Sequence, residues 1–492
     1  MPDLPPTLKL IRRFSLVIVT LITFLLCLLS IRNGHNWGDD FALYISQARA
    51  IVNDNITEVT NANIFMVENS TYHLFSPHVY PWGYPIILGT LIACGFDSFL
   101  AFKVSNIVFL LIFLIYYYKI CCKYLPFYYG LFATAILGFN HLIICFTADN
   151  VLSEIPYLCV STVSLYLILS FRSLKGIRDI FYLVLTSILI FFSFIIRTEG
   201  AAIILCLMTE LACFTFSICI LRKKIGDGRL SMALMLVVLF FSFYLLQKLL
   251  LPADYNTHFH VFLNSTLSHI RLNSIRYCRS LDALWMVHYP VIFFICSLLI
   301  VLWGVLKHVL KGNYILSVYF ISIVVISLIW PFFELRYALN KFPFYLFFFL
   351  LGVKELKLPR LAVLSFMSLS LFFIGYNLFN NIDFRGNTSF AAGPESKDAT
   401  ELFKKVKELT NQTDVIAFFK PRALYLYTHR RSLIINTKLI DLKKNCTYYI
   451  YNKSIGRVNQ IDLQNDVNST TVSENLVNVF ENSTFQLYKI IK

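Results

Sequence analysis

Long apolar runs alternate with short polar stretches as far as residue 378, and the pattern then changes character. Runs close to the length that carries a helix across a bilayer, about twenty residues, fall at 14–31, 101–118, 127–146, 151–171, 180–196, 200–221, 230–250, 289–306, 314–332, 342–353 and 361–378. A further run, from Tyr84 to Phe96, is apolar but short and rich in Gly and Pro. From Asn381 the chain is polar. Ser396 to Leu409 has helical spacing, Asp414 to Phe419 and Ser432 to Asn436 read as strands, and Pro421 to Tyr427 reads as a short helix between them. The expected architecture is an all-α polytopic membrane protein of about eleven transmembrane helices, with a small α/β soluble C-terminal domain. The expected boundaries are 1–378 for the membrane module, with a first outer loop at 32–100, and 379–492 for the soluble domain.

Composition agrees with that pattern. The chain is 57% hydrophobic and 14% charged, with a mean hydropathy of +0.66, whereas a soluble domain carries about 25% charged residues. The net charge of +15 does not point to nucleic acid, because the basic residues sit in short clusters between apolar runs. These are Arg12-Arg13, Lys119 with Lys123, Arg172 to Arg178, Arg222 to Lys224, Lys307 to Lys311 and Lys354 to Arg360. All fall on one side, as cytoplasmic loops do, if 84–96 is re-entrant or interfacial. The segments 32–100, 147–150, 197–199, 252–288, 333–341 and 379–492 then lie outside. Nine N-x-S/T triplets, at Asn55, Asn69, Asn264, Asn387, Asn411, Asn445, Asn452, Asn468 and Asn482, all lie in those outer segments. The basic N-terminus precedes an apolar run without a small-residue cleavage site, so the first helix is expected to be retained. Most of the twelve cysteines lie in apolar runs, as packing residues. Cys278 and Cys446 are expected outside, but nothing in their spacing favours pairing.

Polar residues gather at the outer ends of the helices, where ionisable groups are costly and usually functional. Asn36-Trp37-Gly38-Asp39-Asp40 follows the first helix, and Asp40, Tyr44 and Gln47 share a helix face. Capping an interfacial helix is the structural alternative for the two acids. Pro77-His78-Val79-Tyr80-Pro81-Trp82-Gly83-Tyr84-Pro85 makes a stiff aromatic strip, or an interfacial anchor. Ser153-Glu154-Ile155-Pro156 places a carboxylate just inside an apolar helix, facing either a polar cavity or water. Arg197-Thr198-Glu199-Gly200 is a charged hinge or a local ion pair. Glu334-Leu335-Arg336-Tyr337, followed by Lys341-Phe342-Pro343, offers a planar guanidinium to a phosphate, or one that snorkels.

Acids, guanidinium groups and aromatic walls on one side suit group transfer from a lipid-phosphate donor. A carboxylate serves as general base, the anomeric carbon passes through an oxocarbenium-like state, and arginine or a metal receives the departing phosphate charge. A soluble nucleotide donor fits poorly, because no Gly-rich phosphate loop is present.

Over roughly residues 14–345 these motifs, taken in order, resemble the GT-C superfamily of membrane glycosyltransferases. The branch they most resemble holds the dolichyl-phosphate-mannose protein mannosyltransferases and the aminoarabinose transferase that acts on lipid A. Tyr80-Pro81-Trp82-Gly83-Tyr84-Pro85 is similar to that family's Tyr-Pro-Pro-Gly-Tyr-Pro stretch, Ser153-Glu154-Ile155-Pro156 to its Ser-Asp/Glu-x-Pro, and Arg197-Thr198-Glu199-Gly200 to its Arg-x-Glu-Gly. Arg336-Tyr337 with Pro343 is similar to its Arg-Tyr-x-x-Pro. The resemblance implies a glycosyltransferase working at the outer membrane face with inversion, from a polyprenyl- or dolichyl-phosphate sugar to a protein, lipid or glycan acceptor. It implies Asp40 as base, with Asp39 the second candidate, and Glu154 orienting acceptor or metal. Tyr44, Tyr84, Arg197, Glu199, Arg336 and Tyr337 would contact substrate, the arginines through phosphate. A divalent metal is possible as cofactor, with His78 as its candidate ligand. The first motif is usually Asp-Glu in that family and is Asp-Asp here, and the Glu-Lys of some relatives is replaced by His78-Val79. The implied location is the inner membrane of a bacterium or the endoplasmic reticulum of a eukaryote, with the C-terminal domain on the non-cytoplasmic side. A lipid or sugar transporter, and a polysaccharide polymerase or ligase, remain as alternatives.

Overall fold

The computed structural model describes residues 6–72, 77–171, 176–219, 227–252, 266–285, 291–330, 332–357, 360–381, 390, 392–463 and 474–491. Three of the triplets, at Asn264, Asn387 and Asn468, lie outside the described residues, as do Arg222 to Lys224 and part of Arg172 to Arg178.

Hydrocarbon offers a backbone no hydrogen-bond partner, so apolar runs close their bonds internally as helices. In chain order these are α1 Pro6–Leu29, α2 Asp40–Val52, α3 Ile56–Asn69, α4 Gly83–Ala93, α5 Phe99–Tyr124, α6 Phe127–Gly138, α7 His141–Asp149, α8 Glu154–Ser170, α9 Ile177–Ile196, α10 Ala201–Cys219 and α11 Asp227–Leu250. They continue with α12 Leu267–Trp285, α13 Val291–Leu310, α14 Ile315–Ile329, α15 Phe342–Glu355 and α16 Arg360–Asn381. The run expected at 127–146 is broken. The Asn140 side chain accepts the Ile143 N–H at 3.2 Å and starts a new helix, so α6 and α7 meet at a 53° bend.

Among the described residues, four helices are long and apolar enough to cross a membrane: Leu10–Leu29, Phe99–Tyr124, Ile177–Ile196 and Arg229–Leu250. The bent pair makes a fifth if counted as one span. Other apolar helices, α4, α8 and α14 among them, are shorter, and the expected count of about eleven spans is not confirmed. The shortening has a local cause at α8, where polar Ser153 and Glu154 mark the start, and at α15, which begins after Lys341.

The bundle has two chemically distinct ends. At one, Arg12 Nε donates to the Tyr118 hydroxyl at 3.1 Å, Lys123 to Ser170 Oγ at 2.9 Å, Lys311 pairs with Glu355 at 2.7 Å, and Lys354 donates to the Tyr124 carbonyl at 2.7 Å. Basic clusters far apart in sequence therefore meet there. At the other end, Lys103 near the start of α5 donates to the carbonyls of Arg32 and Gly34 at 2.6 Å each, while Tyr80, just before α4, bonds Asp40 at the start of α2. Both flanks of α4 thus lie at the same end. Its eleven residues span about 16 Å, against a hydrocarbon core of about 30 Å.

The C-terminal residues form α17 Lys397–Leu409, α18 Pro421–Thr428, α19 Leu439–Asn445 and strands β1 Val415–Ala417, β2 Arg431–Leu433, β3 Tyr448–Asn452, β4 Leu476–Glu481 and β5 Phe485–Ile490. The sheet order is β2-β1-β3-β5-β4, with β1 parallel to β2 and β3 and the remaining pairs antiparallel. Leu402, Phe403 and Val406 of α17 bury one sheet face with Ile416, Ile450 and Leu487. Cys446 is buried in the cluster on the other face. Trp37 reaches from the segment that follows α1 into the α17 side of this core, its ring 5.2–6.2 Å from those of Phe403, Phe418, Phe419 and Phe485. Thr71 N–H donates to the Ile434 carbonyl at 2.8 Å and makes a second grip.

Candidate active site

A cavity of about 520 Å³ lies where the segment that follows α1, the turns at 197–199 and 334–337, and C-terminal residues such as Lys420 and Arg422 meet. Asp39 and Asp40 open α2, and the helical spacing turns Asp40, Tyr44 and Gln47 toward one object, Tyr80. The Tyr80 hydroxyl donates to Asp40, its ring lies 4.9 Å from that of Tyr44, and its carbonyl accepts from Gln47 Nε2 at 3.1 Å. Tyr44 also meets the Ser153 hydroxyl at 2.9 Å.

Two of the motifs owe their glycines to one helix end. A Cβ on Gly83 would stand 2.5 Å from the Ile196 nitrogen, and one on Gly200 would stand 2.5 Å from the Phe194 nitrogen. Both turns press against the last residues of α9, and neither tolerates a side chain there. This brings the aromatic strip and the Arg197 turn to the same wall.

Charge organises the rest. Arg336, on the short 3-10 turn Leu335–Ala338, is ion-paired with Asp40 and with Glu334, and its Nε lies 3.5 Å from Glu154 Oε1. Arg197 NH1 donates to Glu154 Oε1 at 2.7 Å and to Ser153 Oγ at 3.3 Å, and its Nε donates to Glu199 Oε2 at 3.0 Å. Glu199 also accepts from Asn340 at 2.8 Å and Lys341 at 3.2 Å. The Tyr337 ring lies between the two arginines, 5.4 Å from the Arg197 guanidinium carbon and 5.3 Å from that of Arg336.

Burial disfavours the charged form of Asp40, but Arg336 and the Tyr80 hydroxyl outweigh it and hold the carboxyl well below the usual range. Burial likewise opposes ionisation of Glu199, and Lys341 and Arg197 overcome it, bringing that carboxyl down to about 2. Asp39 differs. Burial raises its pKa in spite of Lys420 and Arg422. Its Oδ1 accepts the backbone N–H of Arg422 at 3.1 Å, so it faces the C-terminal domain. Burial lowers the His35 pKa to about 3. The ring fits a neutral Nδ1–H tautomer, with Nε2 accepting the Val151 N–H at 3.1 Å and Nδ1 2.8 Å from the Asn36 carbonyl.

Asp39, Asp40, Tyr44, Arg197, Glu199, Arg336 and Tyr337 all line the cavity. Glu154 stands behind them, buried between the two arginines, with Oε2 unbonded. Tyr84 is fully buried beneath Tyr44 and donates to Asn106 at 3.2 Å, so it packs the wall from behind. His78 does not join the cluster; its Nε2 lies 3.9 Å from Glu68. No three His, Cys, Asp or Glu side chains converge as a metal site among the described residues, and Asp39 and Asp40 are engaged by donors and cations. The described residues offer no ligand set for a metal centre.

Sequence reasoning missed Arg422. Lys420-Pro421-Arg422 reads as a solvated basic surface, but Arg422 is 3% exposed and packed against Tyr80. No local signal ties it to a residue 342 positions away. Asn340 was missed for the same reason, and Lys341, singled out after Arg336, was not tied to Glu199.

No family model and no curated protein sequence matches the chain. Solved structures do. An Archaeoglobus fulgidus oligosaccharyltransferase in complex with zinc and sulfate superposes with a TM-score of 0.54 at 13% identity, over 89% of this chain and 68% of that one. The archaeal oligosaccharyltransferase AglB from Archaeoglobus fulgidus, in complex with an inhibitory peptide and a dolichol-phosphate, matches with a TM-score of 0.54 at 13% identity, over 91% of this chain and 70% of that one. ArnT from Cupriavidus metallidurans, bound to undecaprenyl phosphate, matches with a TM-score of 0.54 at 10% identity, over 96% of this chain and 97% of that one. The chain shares the overall fold of these solved structures.

Proposed function

We propose that the protein is a glycosyltransferase that moves a sugar from a polyprenyl- or dolichyl-phosphate donor to an acceptor hydroxyl at the extracytoplasmic membrane face, with inversion. The observation that carries this reading is the pairing of Asp40 with Arg336 at the wall of one cavity, a base beside a fixed phosphate-binding fork. The fold shared with a protein bound to undecaprenyl phosphate and another bound to a dolichol-phosphate supports the donor class.

In the transfer, Asp40 takes the proton of the acceptor hydroxyl as its oxygen attacks the anomeric carbon. The bond from that carbon to the phosphate oxygen breaks, and its electron pair leaves on the lipid phosphate, whose charge Arg336 holds, with Arg197 beside it. Arg336 is shared by Asp40, Glu154 and Glu334. An arriving phosphate competes with Asp40 for this guanidinium, and as that pair loosens the Asp40 carboxylate regains its ordinary basicity. Donor binding therefore precedes activation of the base. Glu154 holds the two arginines in register, while Tyr44, Glu199 and Tyr337 shape the wall that receives the sugar. The meeting of the outer segments at one end, with the basic clusters at the other, supports a membrane module at 1–378 and an extracytoplasmic domain at 379–492.

The test uses proteoliposomes and radiolabelled polyprenyl-phosphate sugars. Wild type is expected to release polyprenyl phosphate, and Asp40→Asn, normally folded, is expected to lose the release by about 10²–10⁴-fold. Equal release by the two proteins would refute Asp40 as base. Donor flipping without release would favour a transporter.

A further inference from the structure

Arg422 belongs to the C-terminal domain, yet its side chain leaves that domain. It is the second residue of α18. Nε donates to Asn63 Oδ1 at 2.7 Å, NH2 to the Pro77 carbonyl at 2.9 Å, and NH1 to the Tyr80 hydroxyl at 2.9 Å. The guanidinium carbon lies 5.0 Å from the Tyr80 ring centroid. Placing a guanidinium out of water is costly unless it is paired and bonded. These three acceptors are neutral, and the carboxylate Arg422 faces through Tyr80 is Asp40.

An arginine side chain only donates, and a tyrosine hydroxyl has a single proton. Because the Tyr80 oxygen accepts from Arg422, its proton is directed to Asp40 Oδ1. Arg336 bonds Asp40 Oδ2. Asp40 is therefore oriented at both oxygens, one of them through a residue that the C-terminal domain sets. The Arg422 backbone N–H meanwhile binds Asp39, so one residue of that domain engages both members of the acidic pair.

We propose that Arg422 is a positioning residue for the transfer reaction: it aims the Tyr80 hydroxyl at Asp40, so that the C-terminal domain must be seated on the first outer loop for the base to be set. This rests on Asp40 acting as the base. The other titratable groups facing Asp40 are His35, Asp39, Tyr44, Glu334 and Tyr337, and the variants below leave all of them in place.

The experiment compares full-length wild type, Arg422→Met, Arg422→Lys, Tyr80→Phe and Arg422→Met/Tyr80→Phe in nanodiscs, with thermal unfolding to confirm folding and donor turnover measured against pH. Arg422→Met is expected to lower kcat by about tenfold, the equivalent of one hydrogen bond to a charged group, with little change in donor KM. Its acid limb should move to higher pH, because a cation and an aimed donor that keep Asp40 ionised are lost. Arg422→Lys keeps the charge without the planar fork, so it should restore the acid limb more than kcat. The double variant should fall no further than Tyr80→Phe alone, since the two act in series. An unmoved acid limb and kcat in a folded Arg422→Met, with only the melting temperature lowered, would reduce Arg422 to a clamp between domains and overturn the proposal. Additive losses in the double variant would also overturn it. Absence of turnover in wild type would count against the glycosyltransferase reading itself. The link is then read without turnover, from the ¹³Cζ-tyrosine resonance that Tyr80→Phe removes: a shift in Arg422→Met keeps the link, and an unmoved resonance overturns it.

Discussion

The turn at 197–199 and the turn at 39–40 each bring a carboxylate to the same cavity beside an arginine, yet the two are held in different ways. Glu199 is closed in: Oε1 takes Lys341, and Oε2 takes both Arg197 and Asn340. Its partners come from the 197 turn itself and from the start of α15, and substrate need displace none of them. Among the described residues Asp40 has one direct ion-pair partner, Arg336, which it shares with Glu154 and the half-exposed Glu334, while Arg422 reaches it through Tyr80. A carboxylate held by several partners at once is a strut. One whose only ion-pair partner is contested by two other acids, at a cavity wall, can be released by an incoming anion. Residue type does not separate these roles; the number and loyalty of the partners do.

The comparison breaks most directly at Asp40. The loss of about 10²–10⁴-fold in turnover expected for Asp40→Asn should come with little loss of stability. The mirror experiment is Glu199→Gln. Removing one member of a buried charge cluster costs about 3–5 kcal/mol, so its thermal unfolding in detergent should drop markedly, while turnover per folded molecule falls far less than in Asp40→Asn. A Glu199→Gln protein of wild-type stability would remove the distinction. A smaller effect is expected at Arg336→Lys, where a point charge cannot serve Asp40 and a donor phosphate as a fork does. Each charged hydrogen bond is worth about 1.5–3 kcal/mol, so donor kcat/KM should fall roughly 10–100-fold. A wild-type value would detach Arg336 from the donor.

The smallest effect is in pH. Glu199 has a folded pKa of about 2 against an ordinary value of 4.5. A depressed carboxylate stabilises the fold fully above its unfolded pKa, and that contribution is lost as pH falls toward the folded value. Melting temperature should therefore decline between about pH 4.5 and 2, and decline less steeply in Glu199→Gln. Asp39, raised by burial, works in the opposite sense over a higher range. A slope unchanged by Glu199→Gln would mean other carboxyls dominate the acid transition.

Much of the site was legible because its polar residues stand against an apolar background. Asp40, Glu154, Arg197, Glu199 and Arg336 sit within or next to apolar runs where each charge needs a reason, and the structure gathers all five within one network. The helical spacing of Asp40, Tyr44 and Gln47 also survived, since all three turn to Tyr80. In the C-terminal domain, the helix expected at 396–409 runs Lys397–Leu409, and β1, α18 and β2 fall inside or beside their expected segments. Strands β3, β4 and β5 were not read; β3 is set between β1 and β5, both far from it along the chain.

The sequence alone determined what local energetics decide: apolar runs that close their hydrogen bonds as helices, and a polar tail whose first helix and strands follow their own spacing. Tertiary structure decided partnership. Asp39 and Asp40 are chemically alike and adjacent, but one accepts from the backbone of Arg422 and the other pairs with Arg336, 296 positions along the chain. Residue type and spacing act over a few turns of helix, whereas an ion pair depends on where packing carries two distant side chains. Its energy varies with distance and burial, which no run of residues encodes by itself.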